Sequence, residues 1–296
     1  MARTNTLGNF LTDVADAIRK KKGTTDTILA SNFDTEIASI ESGVDINEYY
    51  VTSGHYGKIG GYIKKIPQLD TSNVTNMNSM FSDCENLISI PQLNTSKVTN
   101  MNNMFYYCKS LTTIPLIDTS NVKEMTNMFR GCINLTTIPQ LDISNVTRTS
   151  YMFDSCTNLT TIPQLDTSNV DSMSYMFRGC TNLTTIPQLN GEKLMSIYGI
   201  VENCKNITDF NGLINLGQAY NISNPANYSN YTLNLAYSPL LTEQSIINIL
   251  NNLYDIATKG CNTQTVTLGA TNLAKLTSTE GQQALASAQS KGWNIN

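Results

Sequence analysis

Charge is scarce in this chain of 296 residues, since only 14% of them are Asp, Glu, Lys or Arg and the formal net charge is −4. A nucleic-acid surface needs a basic stripe that replaces phosphate counterions, and 19 Lys and Arg against 23 Asp and Glu do not supply one. Histidine occurs once, at His55, so that a Ser-His-Asp or Cys-His site is not indicated. The composition thus argues against a nucleic-acid partner and against histidine-dependent catalysis.

Long apolar runs and recognisable catalytic motifs are also missing. No run of about 18 apolar residues is present, so we predict no membrane insertion. The first stretch, "MARTNTLGNFLTDVADAIRKKKG", has no apolar core followed by a small-residue cleavage site, and we therefore expect no signal peptide. P-loop, G-x-S-x-G, H-E-x-x-H and dinucleotide-binding motifs are absent. We predict that the protein is not an enzyme and needs no cofactor.

The chain does have an internal repeat with a strict period of 24 residues. The stretch "LDTSNVTNMNSMFSDCENLISIPQ", which starts at Leu69, is followed at once by "LNTSKVTNMNNMFYYCKSLTTIPL". One column of equivalent positions holds Phe81, Phe105, Phe129, Phe153 and Phe177, and ends in Val201. A unit of this length cannot bury its apolar face alone, but stacked units bury a continuous core.

Within one unit, Val74, Met77, Met80, Phe81, Cys84 and Leu87 fall at helical spacing, and an extended "ISIPQL" run follows. We therefore predict an α/β repeat solenoid of leucine-rich-repeat type, built from helix-turn-strand units. The predicted organisation is a helical N-terminal attachment segment (1–48), a β-rich N-terminal cap (49–66), six repeats (67–210) and a C-terminal cap of modified repeats with α/β structure (211–296). In the last part, the sequence predicts a helix capped by Thr242, a strand at "QTVTLGA" and a final helix at "TEGQQALASAQSKGW".

Cysteine and aspartate each form a column. The cysteine column consists of Cys84, Cys108, Cys132, Cys156, Cys180 and Cys204. We interpret these residues as buried structural thiols, because the alternative of a metal array lacks the paired C-x-x-C or Cys/His spacing of zinc sites. The aspartate column consists of Asp70, Asp118, Asp142 and Asp166. It has two readings, helix capping, which its position favours, and a ladder of calcium ligands.

Positions that vary from unit to unit are where a repeat protein can encode recognition. Tyrosine and arginine, which are enriched in binding hot spots, occur at several of them, and stacked tyrosines also suit carbohydrate. The alternative is that these positions face solvent and vary freely. We predict ligand binding by Tyr106, Tyr107, Arg130, Tyr151, Asp154, Tyr175 and Arg178, and we predict no metal site.

The units resemble those of the BspA-like leucine-rich repeat proteins. The segments "DTSNVTNMNSMFSDCENL" and "DTSNVDSMSYMFRGCTNL" match the unit of that family almost residue for residue, and the likeness covers about residues 60 to 210. The resemblance implies a curved leucine-rich-repeat-like solenoid with a surface or adhesive role and without enzyme activity.

A second resemblance lies in "LGNFLTDVADAIRKKKGTTDTILASNFDTEIASIESG", within about residues 5 to 43. This segment is similar to a short leader of structural proteins in phages and prophages of Gram-positive bacteria. Its periodicity predicts an amphipathic helix near the start and a short helix near Phe33 to Ile40.

Together, the two resemblances imply a structural protein of a phage or phage-tail-like particle, located in the virion at the tail or baseplate. It would bind other virion proteins through its N-terminal segment and a host cell-surface polysaccharide or protein through its repeats, and it could form a homo-oligomer. The alternatives are a capsid decoration protein of the same virion and a BspA-like adhesin of the bacterial cell surface.

Overall fold

The structure is a computed structural model that describes Ile66, Leu69 and residues 71–219, 232–259 and 264–296. The predicted attachment segment (1–48), almost all of the predicted β-rich cap, and Cys261 lie outside the described residues.

The 24-residue units stack in register. Isolated parallel bridges join Asn76 to Asn100, Asn100 to Glu124, and so on in steps of 24 residues up to the bridge between Ser172 and Ser196. Equivalent positions of successive units therefore lie directly above one another. The predicted repeat is confirmed as the building block of a repeat fold, and we call residues 71–214 the repeat stack.

The helix predicted in each unit is wrong. In the first unit, the Met77 N–H donates to the Asn100 carbonyl at 2.9 Å and the Phe81 N–H donates to the Met104 carbonyl at 2.9 Å. The intervening Met80 N–H donates only three residues back, to the Met77 carbonyl at 3.2 Å. Because alternate N–H groups bond to the next unit, the ladder of bonds to the fourth preceding residue that defines an α-helix cannot form. The segment is a run of turns.

Two positions in each unit have left-handed backbone, which also interrupts a helix. In the first unit these are Ser79 (φ 58°) and Asp83 (φ 60°). A strand is also predicted in each unit, but most units lack one, because residues 71–184 contain only single bridges. Strands of two residues occur in the last units, where β1 (Thr185–Ile186) pairs in parallel with β3 (Asp209–Phe210), and β2 (Leu189–Asn190) pairs in parallel with β4 (Leu213–Ile214).

The core of the repeat stack is made of columns of identical side chains. The phenylalanine rings from Phe81 to Phe177 are fully buried and stack with centroid distances between 5.4 and 5.7 Å. The six cysteines of the column are buried, and none of them forms a disulfide bond. From Cys108 onward, each thiol contacts the phenylalanine carbonyl of the preceding unit, as in the 3.0 Å hydrogen bond from Cys108 Sγ to the Phe81 oxygen. The cysteines thus connect neighbouring units by polar contacts in an otherwise apolar interior.

A buried threonine column makes a second connection between units. The Thr119 hydroxyl, 1% exposed, donates to the Asp142 carbonyl at 2.8 Å. Three further residues of the column, Thr71, Thr95 and Thr167, make the equivalent bond. The column also contains the buried Ile143, which shows that the position accepts an apolar side chain.

Thr119→Val should therefore lower the free energy of unfolding by about 1 kcal/mol, because the shape is kept while a buried carbonyl loses its donor. Urea unfolding followed by circular dichroism measures the change. The matched control is Thr99→Val, since the exposed Thr99 hydroxyl makes the same kind of bond, at 3.2 Å to the Thr75 carbonyl, at the surface. Equal effects of the two substitutions would contradict the prediction.

The C-terminal part closes the stack with longer elements. Helix α1 (Glu243–Asn251) begins at the N-cap Thr242, whose hydroxyl accepts from the Ser245 N–H at 3.2 Å. A 3₁₀ helix (Ala257–Lys259) and helices α2 (Gly269–Leu273) and α3 (Thr279–Ser290) follow. Strands β5 (Leu233–Asn234), β6 (Gln264–Thr267) and β7 (Trp293–Ile295) form a parallel sheet in that order. The two predicted helices and the predicted strand in this part are confirmed.

Candidate functional site

One side of the repeat stack carries arginine and tyrosine side chains from consecutive units. We call it the Arg–Tyr surface, and its residues are Tyr106, Tyr107, Arg130, Tyr151, Tyr175, Arg178 and Tyr198. The 24-residue register brings them together, because they occupy neighbouring positions of successive units. The structure thus gathers six of the seven residues that the sequence predicts as ligand-binding, together with Tyr198.

The seventh predicted residue, Asp154, lies beneath this surface and is not exposed. Its side chain is 0% accessible. Arg178 Nε and Nη2 donate to its two carboxylate oxygens at 2.9 and 2.7 Å, and Arg130 Nε lies 2.9 Å from Oδ2. The arginines of the preceding and following units cover Asp154, so its carboxylate does not reach the surface, and its binding to a ligand stays a prediction. Asp154 instead holds both guanidinium groups in place.

The guanidinium groups also lie over tyrosine rings. The Arg178 Cζ atom is 4.6 Å from the centroid of Tyr175 and 5.4 Å from that of Tyr151. The Arg130 Cζ atom is 5.0 Å from the Tyr151 centroid and 5.6 Å from the Tyr106 centroid. These cation–π contacts and the ion pairs together fix the planar groups before any ligand arrives.

The tyrosine rings contact one another along the stack. Tyr151 and Tyr175 are stacked with a centroid distance of 4.8 Å, and Tyr198 meets Tyr175 edge-on at 5.2 Å. The Tyr198 side chain is 50% exposed. Sequence reasoning missed Tyr198, although it is the one aromatic residue in a column of asparagine, threonine and serine.

Three of these tyrosines have left-handed backbone: Tyr107 (φ 54°), Tyr151 (φ 58°) and Tyr175 (φ 57°). Such a φ is a genuine outlier for a bulky residue and costs about 1 kcal/mol or more at each position. Strain of this kind persists only where the surrounding structure enforces it, and it is concentrated at functional sites.

Glycines of the next unit make room for two of the strained tyrosines. A Cβ atom at Gly131 would lie 2.7 Å from the Tyr107 ring, and one at Gly199 would lie 2.6 Å from the Tyr175 ring. The two tyrosine rings therefore pack directly against the glycine backbone, and a side chain in place of either glycine would disturb this packing.

Burial and hydrogen bonding tune the ionisable groups of the surface. Loss of hydration raises the pKa of Tyr106 and of Tyr175 above the ordinary tyrosine value, so both phenols are neutral near pH 7. The hydrogen bonds to Asp154 raise the pKa of Arg178 further. The surface thus presents neutral hydroxyls and permanently charged guanidinium groups.

Because Asp154 is shared, Arg130 and Arg178 should be energetically coupled. Arg130→Gln and Arg178→Gln each leave one arginine on the carboxylate, whereas the double variant leaves a buried charge unpaired. We expect the double variant to lose about 1 to 2 kcal/mol of stability beyond the sum of the single variants. A double-mutant cycle measured by urea unfolding tests this.

The control for this cycle is the exposed pair Lys109–Glu85, with an Nζ–Oε1 distance of 2.9 Å. Its coupling should stay below about 1 kcal/mol, since both charges remain solvated. Additive effects at Arg130 and Arg178 would show that Asp154 does not depend on the two arginines.

The aspartate column does not cap helices, because no helix follows it. Asp118 accepts from the Ser120 N–H at 3.0 Å and from the Ser120 hydroxyl at 2.6 Å, and Asp142 does the same with Ser144. These bonds lower the pKa of both carboxyl groups. The arrangement is an Asx turn. Within the described ranges, no group of three or more His, Cys, Asp or Glu side chains could hold a metal ion.

A small cavity of about 110 Å³ lies where the Arg–Tyr surface meets the C-terminal part. Tyr198, Gly199 and Glu202 line it from the last unit, and Thr232, Asn234 and Tyr237 line it from the segment of β5. This cavity extends the surface with two more hydrogen-bonding side chains and a further tyrosine.

Among the helices of the described residues, none has the length and apolar character needed to cross a membrane.

Comparison with known proteins gives one family match. The model of a family described as "Mycoplasma protein of unknown function, DUF285" matches residues 53–137 and 112–215, which together make up more than half of the chain. The match begins after the leader-like segment of residues 5 to 43. No curated protein sequence matches the chain.

Two solved structures are similar to parts of the chain. A leucine rich cell surface protein from Faecalibacterium prausnitzii A2-165 is 24% identical with a TM-score of 0.37, and the match covers 51% of this chain and 43% of that protein. A leucine rich repeat protein from T. pallidum is 17% identical with a TM-score of 0.35, and the match covers 54% and 78% of the two chains. The chain thus spans less than half the length of the Faecalibacterium protein. Likenesses at this level say nothing about what the chain binds.

Proposed function

This chain belongs to the DUF285 family, and we propose that it is an adhesion protein of a bacterial cell surface, whose repeats form a leucine-rich-repeat-like solenoid and whose Arg–Tyr surface binds the ligand. The observation that carries the proposal is the left-handed backbone of Tyr107, Tyr151 and Tyr175. Asparagine or glycine would occupy these positions at lower cost, and other units do have them there, as at Asn127 and Gly131.

A binding role fits the chemistry of the surface better than catalysis. Asp154 is the carboxylate at its centre. Arg178 donates to both of its oxygens, the Ser155 hydroxyl donates to Oδ1 at 3.2 Å, and Arg130 Nε lies 2.9 Å from Oδ2. Asp154 therefore has no free lone pair directed at a substrate and does not qualify as a general base. Aromatic faces, phenol hydroxyls and fixed guanidinium groups are typical of recognition.

The test is binding of the full chain to an array that carries neutral, carboxylated and sulfated oligosaccharides together with extracellular-matrix proteins. We expect binding to at least one component and its loss in Tyr151→Gly and Tyr175→Gly. Glycine adopts the left-handed backbone without strain, so these variants should melt within a few degrees of the parent while lacking the ring.

The matched control is Leu116→Ala, because Leu116 is a large side chain, 64% exposed, that lies outside the Arg–Tyr surface. This variant should bind as the parent does. If the two glycine variants keep full binding, or if the parent chain binds nothing on the array, the proposed function is wrong.

A second candidate is a virion protein that is attached to other virion proteins through its N-terminal segment, either as a homo-oligomer or as a single chain. Its repeats would serve host adhesion at the tail or baseplate, or would decorate the capsid. The observation that favours it is the sequence of the leader, residues 5 to 43. Immunogold electron microscopy of a producing culture separates the two candidates. Label on intact bacteria with bare particles supports the cell-surface adhesin, whereas label on particle tails or heads supports the virion protein.

A further inference from the structure

The charges of the Arg–Tyr surface are unevenly distributed. Arg130, Asp154 and Arg178 together carry one net positive charge, and Glu202, which interacts electrostatically with Arg178, follows in the same column, so the positive charge is concentrated at Arg130. The arginine side chains are only 27% and 30% exposed. A charge that is partly withdrawn from water is less screened than one at the open surface, so it acts more strongly on a nearby ligand.

Arginine donors remain available in this cluster. A guanidinium has five N–H groups in a planar fork. The ion pair of Arg130 with Asp154 is formed at Nε, 2.9 Å from Oδ2, whereas Arg178 donates to Asp154 through Nε and Nη2. Within the part of the chain that the structure describes, neither Nη atom of Arg130 nor the Nη1 atom of Arg178 donates a hydrogen bond to the protein. The paired Nη groups of Arg130 match the two oxygens of a carboxylate or a sulfate.

Aromatic faces lie beside these donors. Arg178 lies between Tyr151 and Tyr175, and Tyr198 continues the row toward the cavity next to Glu202. Arg130 and Arg178 are two units apart, which corresponds to about 10 Å along the stack. That length suits successive sugars of an extended glycan, with apolar sugar faces over tyrosine rings and an acidic substituent at a guanidinium.

Acidic residues lie at both ends of the surface. Asp83 precedes Tyr107 in its column, and Glu202 follows Arg178 in the arginine column. A densely charged polyanion that ran the whole length of the surface would meet both carboxylates, whereas a single anionic group at the centre would not. The charge pattern therefore favours a sparsely charged ligand.

We propose that the Arg–Tyr surface binds a glycan through an anionic substituent, a carboxylate or a sulfate, held by the Nη groups of Arg130 and the Nη1 group of Arg178 while neighbouring sugars stack on the tyrosines. This inference rests on the proposed binding function and names the chemical class of its ligand.

Isothermal titration of the full chain with three probes tests the inference. The probes are a hyaluronan octasaccharide, which carries carboxylates, a chondroitin sulfate octasaccharide, which carries both groups, and neutral chitohexaose. We expect tighter binding of at least one acidic probe than of chitohexaose, with an affinity that falls as NaCl is raised. A preference between the two acidic probes identifies the anion.

Arg130→Gln should weaken binding of the preferred acidic probe by at least about tenfold, since it removes charge-assisted hydrogen bonds. Arg130→Lys, which keeps the charge but not the fork, should give an intermediate loss and serves if the glutamine variant folds poorly. The control is Arg148→Gln, since Arg148 is 62% exposed and 3.9 Å from Asp171, and its loss should change the affinity less than twofold.

The outcomes separate this inference from the proposed function. Equal binding of chitohexaose and the acidic probes, unchanged in Arg130→Gln, overturns the anionic-glycan inference and leaves an adhesive role intact. Binding to a matrix protein on the array, without binding to any glycan, would likewise overturn the anionic-glycan inference and leave the adhesive role intact. If neither the probes nor the array components bind, both proposals fall.

Discussion

Raising the pH from about 8 to about 9.5 should lower the free energy of unfolding by about 6 kcal/mol. The cause is the cysteine column. Burial raises the pKa of Cys84 and of Cys204 to about 12, and burial raises the pKa of the four thiols between them well above the ordinary value. An unfolded cysteine has a pKa of about 8.5.

The sign follows from which state loses protons first. Below about pH 8 both states hold their thiol protons, and the cysteines do not make stability depend on pH. Above that pH the unfolded chain releases protons that the folded chain retains, so unfolding becomes easier. Each thiol contributes about 1 kcal/mol over the stated interval, and the loss continues up to the folded pKa.

Urea unfolding under reducing conditions at several pH values between 7.5 and 9.5 measures this effect. Cys156→Ala is the informative variant, because it removes one of six equivalent thiols and should reduce the slope of stability against pH by about one sixth, whatever it does to stability at pH 7.5. A stability that stays constant up to pH 9.5 would mean that the column is accessible to solvent.

The second large effect is expected at the phenylalanine column. Phe129→Ala should cost about 3 to 5 kcal/mol, since its fully buried ring has ring neighbours on both sides, at 5.4 Å from Phe105 and 5.6 Å from Phe153. Backbone hydrogen bonds in both directions hold the units at a fixed spacing, so the stack cannot collapse into the space left by the ring.

Thermal and urea unfolding of Phe129→Ala and Phe129→Leu measure the cost, and the leucine variant should recover part of it because it refills the cavity. The control is Leu116→Ala, an apolar truncation at an exposed site of the same stack, with an expected change below about 0.5 kcal/mol. A loss below about 1 kcal/mol for Phe129→Ala would show that the unit spacing can relax.

Much of the repeat architecture was predictable from the period alone. A strict 24-residue register places Phe81 beneath Phe105 whatever the local backbone is, and the stacked rings follow from it. The helix was not predictable in the same way, because buried residues spaced by three, one and three occur both in a helix and in a run of turns. Only the partner of the Met77 N–H, which lies in the next unit, separates the two structures.

A signal against the helix was nevertheless present. The column of Ser79 contains asparagine and glycine, and the column of Asp83 contains glycine and asparagine, which are the residue types that tolerate left-handed backbone. Two such columns four positions apart are poorly compatible with a continuous helix.

Most residues of the Arg–Tyr surface could be named from the sequence, but their arrangement could not. Tyrosine and arginine at variable positions indicated recognition, but the sequence shows Asp154 only as one more variable residue. Its burial depends on having arginine in both adjacent units, at Arg130 and Arg178. That is a property of three consecutive repeats, which no single unit reveals.

The bridges in steps of 24 residues have a consequence for inheritance. A recombination event that duplicates or deletes one whole repeat leaves every remaining unit with a matching neighbour, whereas a deletion of 23 residues would displace every column by one position. Loss of the segment from Leu141 to Gln164 would join the units that carry Arg130 and Arg178 and remove Asp154 from between them. Unequal crossing-over between gene copies can therefore change which side chains lie side by side on the Arg–Tyr surface in a single generation while the stacking of the units is kept.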